Sequence, residues 1–174
     1  AAAVCEECDK LYEGKPGDDT TVAVMQIIDR RPVHLMTGPP VDRDDDERII
    51  SEFMKDETAS RIVSGGTSAT ILSRELGRPL KVSMDYTDPE IPPIAYMDGI
   101  ELVTEGVLTL SRVVDILNRF VEKKDLSYDF FKELDKNNGA SMLAKILIED
   151  CTELNLYVGK AINSAYQNPG LPFD

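Results

Sequence analysis

Two sets of residues have the types and spacing to do chemistry. The first is the acidic pair Asp18-Asp19, which runs through Thr20-Thr21 into the β-branched stretch 22–28. Carboxylates held at the mouth of a rigid strand suit a hard divalent cation, with water filling the remaining positions. The second is Gly65-Gly66-Thr67-Ser68, between a short apolar run (61–64) and a helical pattern that stops at Gly77. Paired glycines let backbone approach a ligand closely, and Thr67 or Ser68 can cap the helix that follows. The first N–H groups of that helix have no partner inside it, so the turn favours an anion such as phosphate. A plain strand-to-helix connection uses the same residues. The turn is no Walker loop, since no Gly-Lys-Ser/Thr follows at the required spacing, and it lacks the third glycine of the dinucleotide fingerprint.

These residues need elements to hold them. Residues 1–12 read as an amphipathic helix, and 20–28 as a strand. From Arg31 onward strands alternate with helices. Strands are expected at 32–36, 61–64, 80–84, 100–103 and 154–158. Helices are expected from the acidic stretch 42–47 onward, over 67–76, over 107–121, over 127–136 and around 142–147. Acidic residues in a first helical turn complement the helix dipole, which accounts for Asp44 to Asp46. Thr109 or Ser111 can cap the helix at 107–121. Prolines exclude regular structure from 85–93, and 96–99 read as a turn. Alternation of this kind predicts an α/β fold: a mostly parallel sheet flanked by helices, a Rossmann-like three-layer lobe over 30–174.

In such sheets ligands bind beyond the carboxyl ends of the strands. There the sequence places Thr37-Gly38-Pro39-Pro40, Gly65-Gly66-Thr67-Ser68, Thr104-Glu105-Gly106, and Gly159-Lys160 through Asn163. If these strands are parallel neighbours, the four loops share one rim. Backbone N–H groups, hydroxyls, Lys160 and Asn163 would then surround a small anionic molecule. Glu105 is the group there able to bind a cation or act as a base. Simple turns also favour glycine at these positions.

Composition narrows the partners. The 174 residues carry a net charge of −13, which disfavours nucleic acid and anionic membrane surfaces. No apolar run reaches membrane-spanning length, and the expected location is cytoplasmic. The three cysteines include a C-x-x-C at Cys5 and Cys8, but no second pair completes a zinc site. All three read as reduced thiols, with Cys5 and Cys8 on one face of a helix. His34, the single histidine, alternates with Val33 and Leu35 on a strand and reads as a structural residue.

The stretch Leu11-Tyr-Glu-Gly-Lys-Pro-Gly-Asp-Asp-Thr-Thr-Val-Ala-Val24, preceded by a helix, resembles the end of the metal-dependent type 2C protein phosphatases. Within them it is most similar to the bacterial SpoIIE-like serine/threonine phosphatases. The resemblance covers about the first 28 residues. It implies that 1–29 is the last helix and strand of a phosphatase domain and that Asp18, with Asp19 beside it, helps hold a catalytic Mn²⁺ or Mg²⁺. It further implies a parent that hydrolyses phosphoserine or phosphothreonine on a protein such as an anti-sigma-factor antagonist. The family's other metal-binding aspartates lie upstream of this motif. One carboxylate pair cannot build a water-activating dinuclear site, so no phosphatase activity is expected of these 174 residues alone.

The sequence thus leads to a phosphatase tail carrying a regulatory lobe that binds a small ligand or partner. Two alternatives stand beside it: an independent enzyme acting on a phosphorylated or nucleotide substrate at the rim, and a purely structural, dimerising lobe. An open edge on the strand at 20–28 also leads us to expect a homodimer.

Overall fold

The computed structural model of the chain describes residues 2–15, 23, 25, 27–84, 88, 91–122 and 128–161. The chain opens with helix α1 (Ala2–Leu11), where Lys10 pairs with Glu7 at 2.8 Å. Ala23, Met25, Ile27 and Ile28 are exposed and outside any strand, so the strand expected at 20–28 is not seen in its described residues. The elements of the lobe follow in the order β1 (Pro32–Thr37), α2 (Asp46–Met54), β2 (Ser60–Ser64), α3 (Gly66–Leu76), β3 (Lys81–Val82), β4 (Ala95–Met97), β5 (Ile100–Thr104), α4 (Val107–Val121), α5 (Tyr128–Leu134), α6 (Gly139–Lys145) and β6 (Glu153–Val158). A 3-10 turn (Arg43–Asp45) leads into α2, and a π-helical turn (Ile146–Asp150) leads out of α6.

The strands form one six-stranded sheet in the order β3-β4-β5-β2-β1-β6. Strands β6, β1, β2 and β5 run parallel, whereas β4 and β3 are antiparallel additions at one edge. The sheet is therefore mixed, less parallel than the sequence suggested. The cause is the Asp98-Gly99 pair, with Gly99 at φ 73°. A two-residue link joins antiparallel strands but cannot make a parallel crossover. Residues 96–99 thus contain the end of a strand as well as a turn.

Both faces of β1, β2 and β5 are covered, as their near-continuous apolar runs require. Val33, Leu35, Ile62 and Leu102 point to one face, where they meet Val113 and Ile116 of α4, Phe130 of α5 and Leu143 of α6. Met36, Val63 and Val103 point to the other, against Ile50 and Phe53 of α2 and Ala69 and Leu72 of α3. His34 lies on this second face. Its Nδ1 sits 3.0 Å from the Phe53 carbonyl, which can only accept, so that nitrogen carries the proton. The histidine is a satisfied core residue. Among the described residues, no helix is long and apolar enough to cross a membrane.

One topological feature positions everything that follows. The chain leaves β1 and β2 toward helices α2 and α3 on one face, but leaves β5 toward α4 on the other. β2 and β5 are neighbours. Their carboxyl ends therefore part in opposite directions, and the sheet forks between them.

Candidate functional site

At the fork the two strands stay joined for one residue beyond the regular ladder, with the Gly65 N–H donating to Thr104 C=O at 2.9 Å. Gly65 then turns away at φ 127°, a backbone conformation that side chains rarely adopt. Gly106 turns to the other side so closely that a Cβ there would lie 3.5 Å from the Gly65 Cα. Beneath the turn, the hydroxyls of Ser64 and Thr104 donate to the Glu105 carbonyl at 2.9 and 2.8 Å. This fixes the backbone from which the Glu105 side chain projects.

Each diverging strand runs directly into a helix. The N-caps of α3 and α4 are Gly65 and Gly106, and neither helix receives a side-chain cap. Thr67 and Ser68 lie inside α3, and Thr109 and Ser111 lie inside α4, so the expected hydroxyl caps do not form. The reason is tight turning: each glycine takes the cap position immediately after its strand. α6 behaves differently, since Asn138 accepts from the Ser141 N–H at 2.9 Å. The first-turn amides of α3 and α4 thus keep their preference for acceptor atoms of another molecule.

A cavity of about 190 Å³ occupies the fork. Of the residues expected at the rim, Thr37, Gly38, Gly65, Gly66, Thr67, Ser68, Glu105 and Gly106 line it together. Thr104 stands behind the lining, in the hydroxyl pair described above. Lys160 is exposed and does not line it. Asn163, Asp18 and Asp19 fall outside the described residues. Pro39 and Ala161, from the first and last of the expected rim loops, line it too, as do Ser64, Val107 and Leu110, which no sequence signal marked.

Two lining side chains carry buried polar atoms without a partner, the Ser68 hydroxyl and Oε2 of Glu105. Ser68 is only 3% exposed. Burying a hydroxyl or a carboxylate oxygen unpaired costs free energy that a hydrogen-bonding ligand would recover. Gly66 adds a third sign. Its φ is not in the left-handed region, and a Cβ there would meet nothing within 4 Å. The fold itself does not require glycine at this position.

A second cavity, of about 210 Å³, lies on the other side of Gly38-Pro39, between α2, α3 and the β1–β6 edge. Met36, Ile49, Ile50, Ile71 and Tyr157 make it largely apolar, and it shares Gly38, Pro39 and Ser68 with the first. Its charged member is Asp46, 3% exposed and held by Arg74 Nη2 at 2.6 Å. Glu75 and then Asp46 push the Arg74 guanidinium further toward its charged form. Burial pushes the Tyr157 phenol up, so it stays protonated. Asp45 pairs with Arg48 at 2.9 Å, and Asp42 accepts from the Asp44 N–H at 3.0 Å. Asp42, Asp45 and Asp46 of the acidic stretch are thus each engaged within the protein. Among the described residues, no three His, Cys, Asp or Glu side chains form a group able to hold a metal ion.

The loops after β1 and β6 close one end of both cavities. The Gly159 N–H donates to Thr37 C=O at 2.9 Å, and the Ala161 N–H to Pro39 C=O at 3.1 Å. A Cβ on Gly38 would lie 2.5 Å from the Gly159 oxygen, so these backbones pack without room for side chains.

Chemically, the fork offers backbone donors from two helix starts, a free hydroxyl and one carboxylate. Such a set has the chemistry to hydrogen-bond and orient a small polar molecule. Comparison with protein-family models, with curated proteins and with solved structures finds no match for this chain.

Proposed function

We propose that the lobe over 30–174 is a small-ligand-binding unit whose site is the fork between β2 and β5, and that it regulates a metal-dependent serine/threonine phosphatase of the SpoIIE-like type, whose last motif is 14–24. The observation that carries the first half is the coincidence of the topological switch point with a cavity holding two unpartnered polar atoms, on Ser68 and Glu105. Ligands of open α/β sheets bind at such switch points for a simple reason. Diverging loops leave a crevice there, and helix N-termini face it. The second half rests on the sequence resemblance at Asp18-Asp19 and its neighbours. In that reading Asp18 and Asp19 contribute to a Mn²⁺ or Mg²⁺ site completed by aspartates upstream, and the substrate is a phosphoprotein.

A binding role suits the site better than an enzymatic one. Among the described residues lining the fork cavity, Glu105 alone has an ionisable side chain, and none of the others is a second acid or base for proton transfer. A dimerising lobe has one observation in its favour. On edge strand β6, Leu154, Leu156 and Val158 are exposed and share one face, in register with Val33, Leu35 and Thr37.

The proposal is tested by measuring Mn²⁺-dependent phosphoprotein hydrolysis by a longer chain that includes the upstream aspartates. It would be compared with a version ending at Asp29 and with a Gly66→Val version that narrows the fork. A regulatory lobe predicts that a small-molecule panel changes the rate of the first alone. Equal rates for all three, under every member of the panel, would remove the regulatory role.

A further inference from the structure

The two cavities have a chemistry that says more about the ligand than the fork alone. Among the described residues neither holds a lysine or arginine in its lining, and their charged members, Glu105 and Asp46, are both acidic. A phosphate or other multiply charged anion in the fork would meet the helix amides but would also face the Glu105 carboxylate. Asp46 already has Arg74, whereas Oε2 of Glu105 has no partner. The fork therefore calls for an acceptor group beside a positively charged donor. The adjoining cavity, lined by Met36, Ile49, Ile50, Ile71 and Tyr157, calls for an apolar group. Ser68, with a free hydroxyl, lines both spaces, as do Gly38 and Pro39. Singly, each is smaller than the roughly 300 Å³ at which sites for drug-sized ligands begin, which suits a small molecule that reaches past Ser68 from one into the other.

We infer that the ligand is a zwitterionic α-amino acid, or a close relative, with an apolar side chain. Its carboxylate lies on the first-turn amides of α3 and α4. Its ammonium pairs with Glu105, and its side chain passes Ser68 into the cavity between α2, α3 and β6. This assignment rests on the fork being the binding site, and it fixes the class of molecule bound there.

The test uses the whole chain, isotopically labelled, with five probes followed by amide and methyl NMR shifts. The probes are L-leucine, glycine, isovalerate, isopentylamine and inorganic phosphate. L-leucine should move the amides of residues 65–68 and 105–107 and the methyls of Ile49 and Ile71. It should bind at least about tenfold more tightly than glycine, because a branched side chain leaves water. Isopentylamine, which lacks the carboxylate, and isovalerate, which lacks the ammonium and one methylene, should also be at least about tenfold weaker. Glu105→Gln should weaken leucine about tenfold and should not weaken isovalerate, which is relieved of a like charge, and Ile71→Phe should abolish the preference for leucine over glycine. Phosphate or isovalerate binding more tightly than leucine would overturn the zwitterion while leaving the fork as the site. Leucine binding no better than glycine would overturn the apolar subsite. If no probe moves the fork amides, the assignment and the site reading fail together.

Discussion

Gly65 and Gly106 stand side by side where β2 and β5 part, close enough that a Cβ on Gly106 would lie 3.5 Å from the Gly65 Cα. One turns its chain toward α3 and the other toward α4, on opposite faces of the sheet. The crevice is a product of this divergence. Its polar character follows from the helix starts and from Ser68 and Glu105.

The paired glycines at 65 and 66 should separate cleanly. Gly65→Ala places a Cβ at φ 127° and should cost about 1–3 kcal/mol. Gly66→Ala meets no neighbour and gains helix propensity, so stability should stay level or rise by up to about 1 kcal/mol. Urea denaturation of both variants checks this.

The Asp46–Arg74 pair should be necessary to the fold around the apolar cavity. Arg74→Ala leaves a buried carboxylate without its partner and should lower the urea midpoint. Asp46→Asn in the same background should recover part of the loss, because an amide needs no counter-charge. A double-mutant cycle in urea measures the coupling.

Acid should loosen the start of the lobe. Arg30 bonds Glu153 at 2.8 Å and Asp56 at 3.1 Å, joining the approach to β1 with β6 and the end of α2. Arg30, then Asn155, holds Glu153 down to about 2. Thr58, then Arg30, holds Asp56 down to about 2. Both carboxylates are below their ordinary values, so the stability they add is complete above about pH 4.5 and is lost as pH falls toward 2. Melting temperature should fall over that window. The fall should be smaller in Arg30→Ala and Thr58→Ala, and smaller for all at high salt because the groups are exposed.

Much of the lobe was legible in its sequence, because apolar period and turn residues act locally. The bounds of α4 and the strand at β2 follow from such signals, and the four glycine-bearing loops were recognisable as strand ends. The fork was not, because no local signal says which face a helix will take. On α4, Thr109, Val113 and Ile116 are buried while Val114 and Val121 are exposed. The apolar positions of this helix extend around more than one face, so pattern alone cannot choose among them. The second cavity joins Ile49, Ile71 and Tyr157 from distant segments. Asp46 differs from its acidic neighbours only through Arg74, 28 residues away.

Cys151 should be a slow thiol. Burial pushes it above its ordinary value, so less thiolate is present at any given pH. Its reaction with a disulfide reagent at pH 8, followed by mass mapping, should lag behind free cysteine.

The 174-residue chain should show no Mn²⁺-dependent hydrolysis of a phosphoprotein or of nitrophenyl phosphate, because Asp18 and Asp19 cannot form a dinuclear site by themselves. Turnover above background would contradict the place given to those residues.

The most direct test of the central claim is a map of where small polar molecules bind. Amide spectra of the labelled chain, recorded against a broad library of such molecules, would supply it. The fork account predicts that binders shift residues 65–68 and 105–107 first, and that Glu105→Gln and Ser68→Ala weaken those shifts without unfolding the chain. Binders that cluster elsewhere and leave these amides unmoved would contradict it.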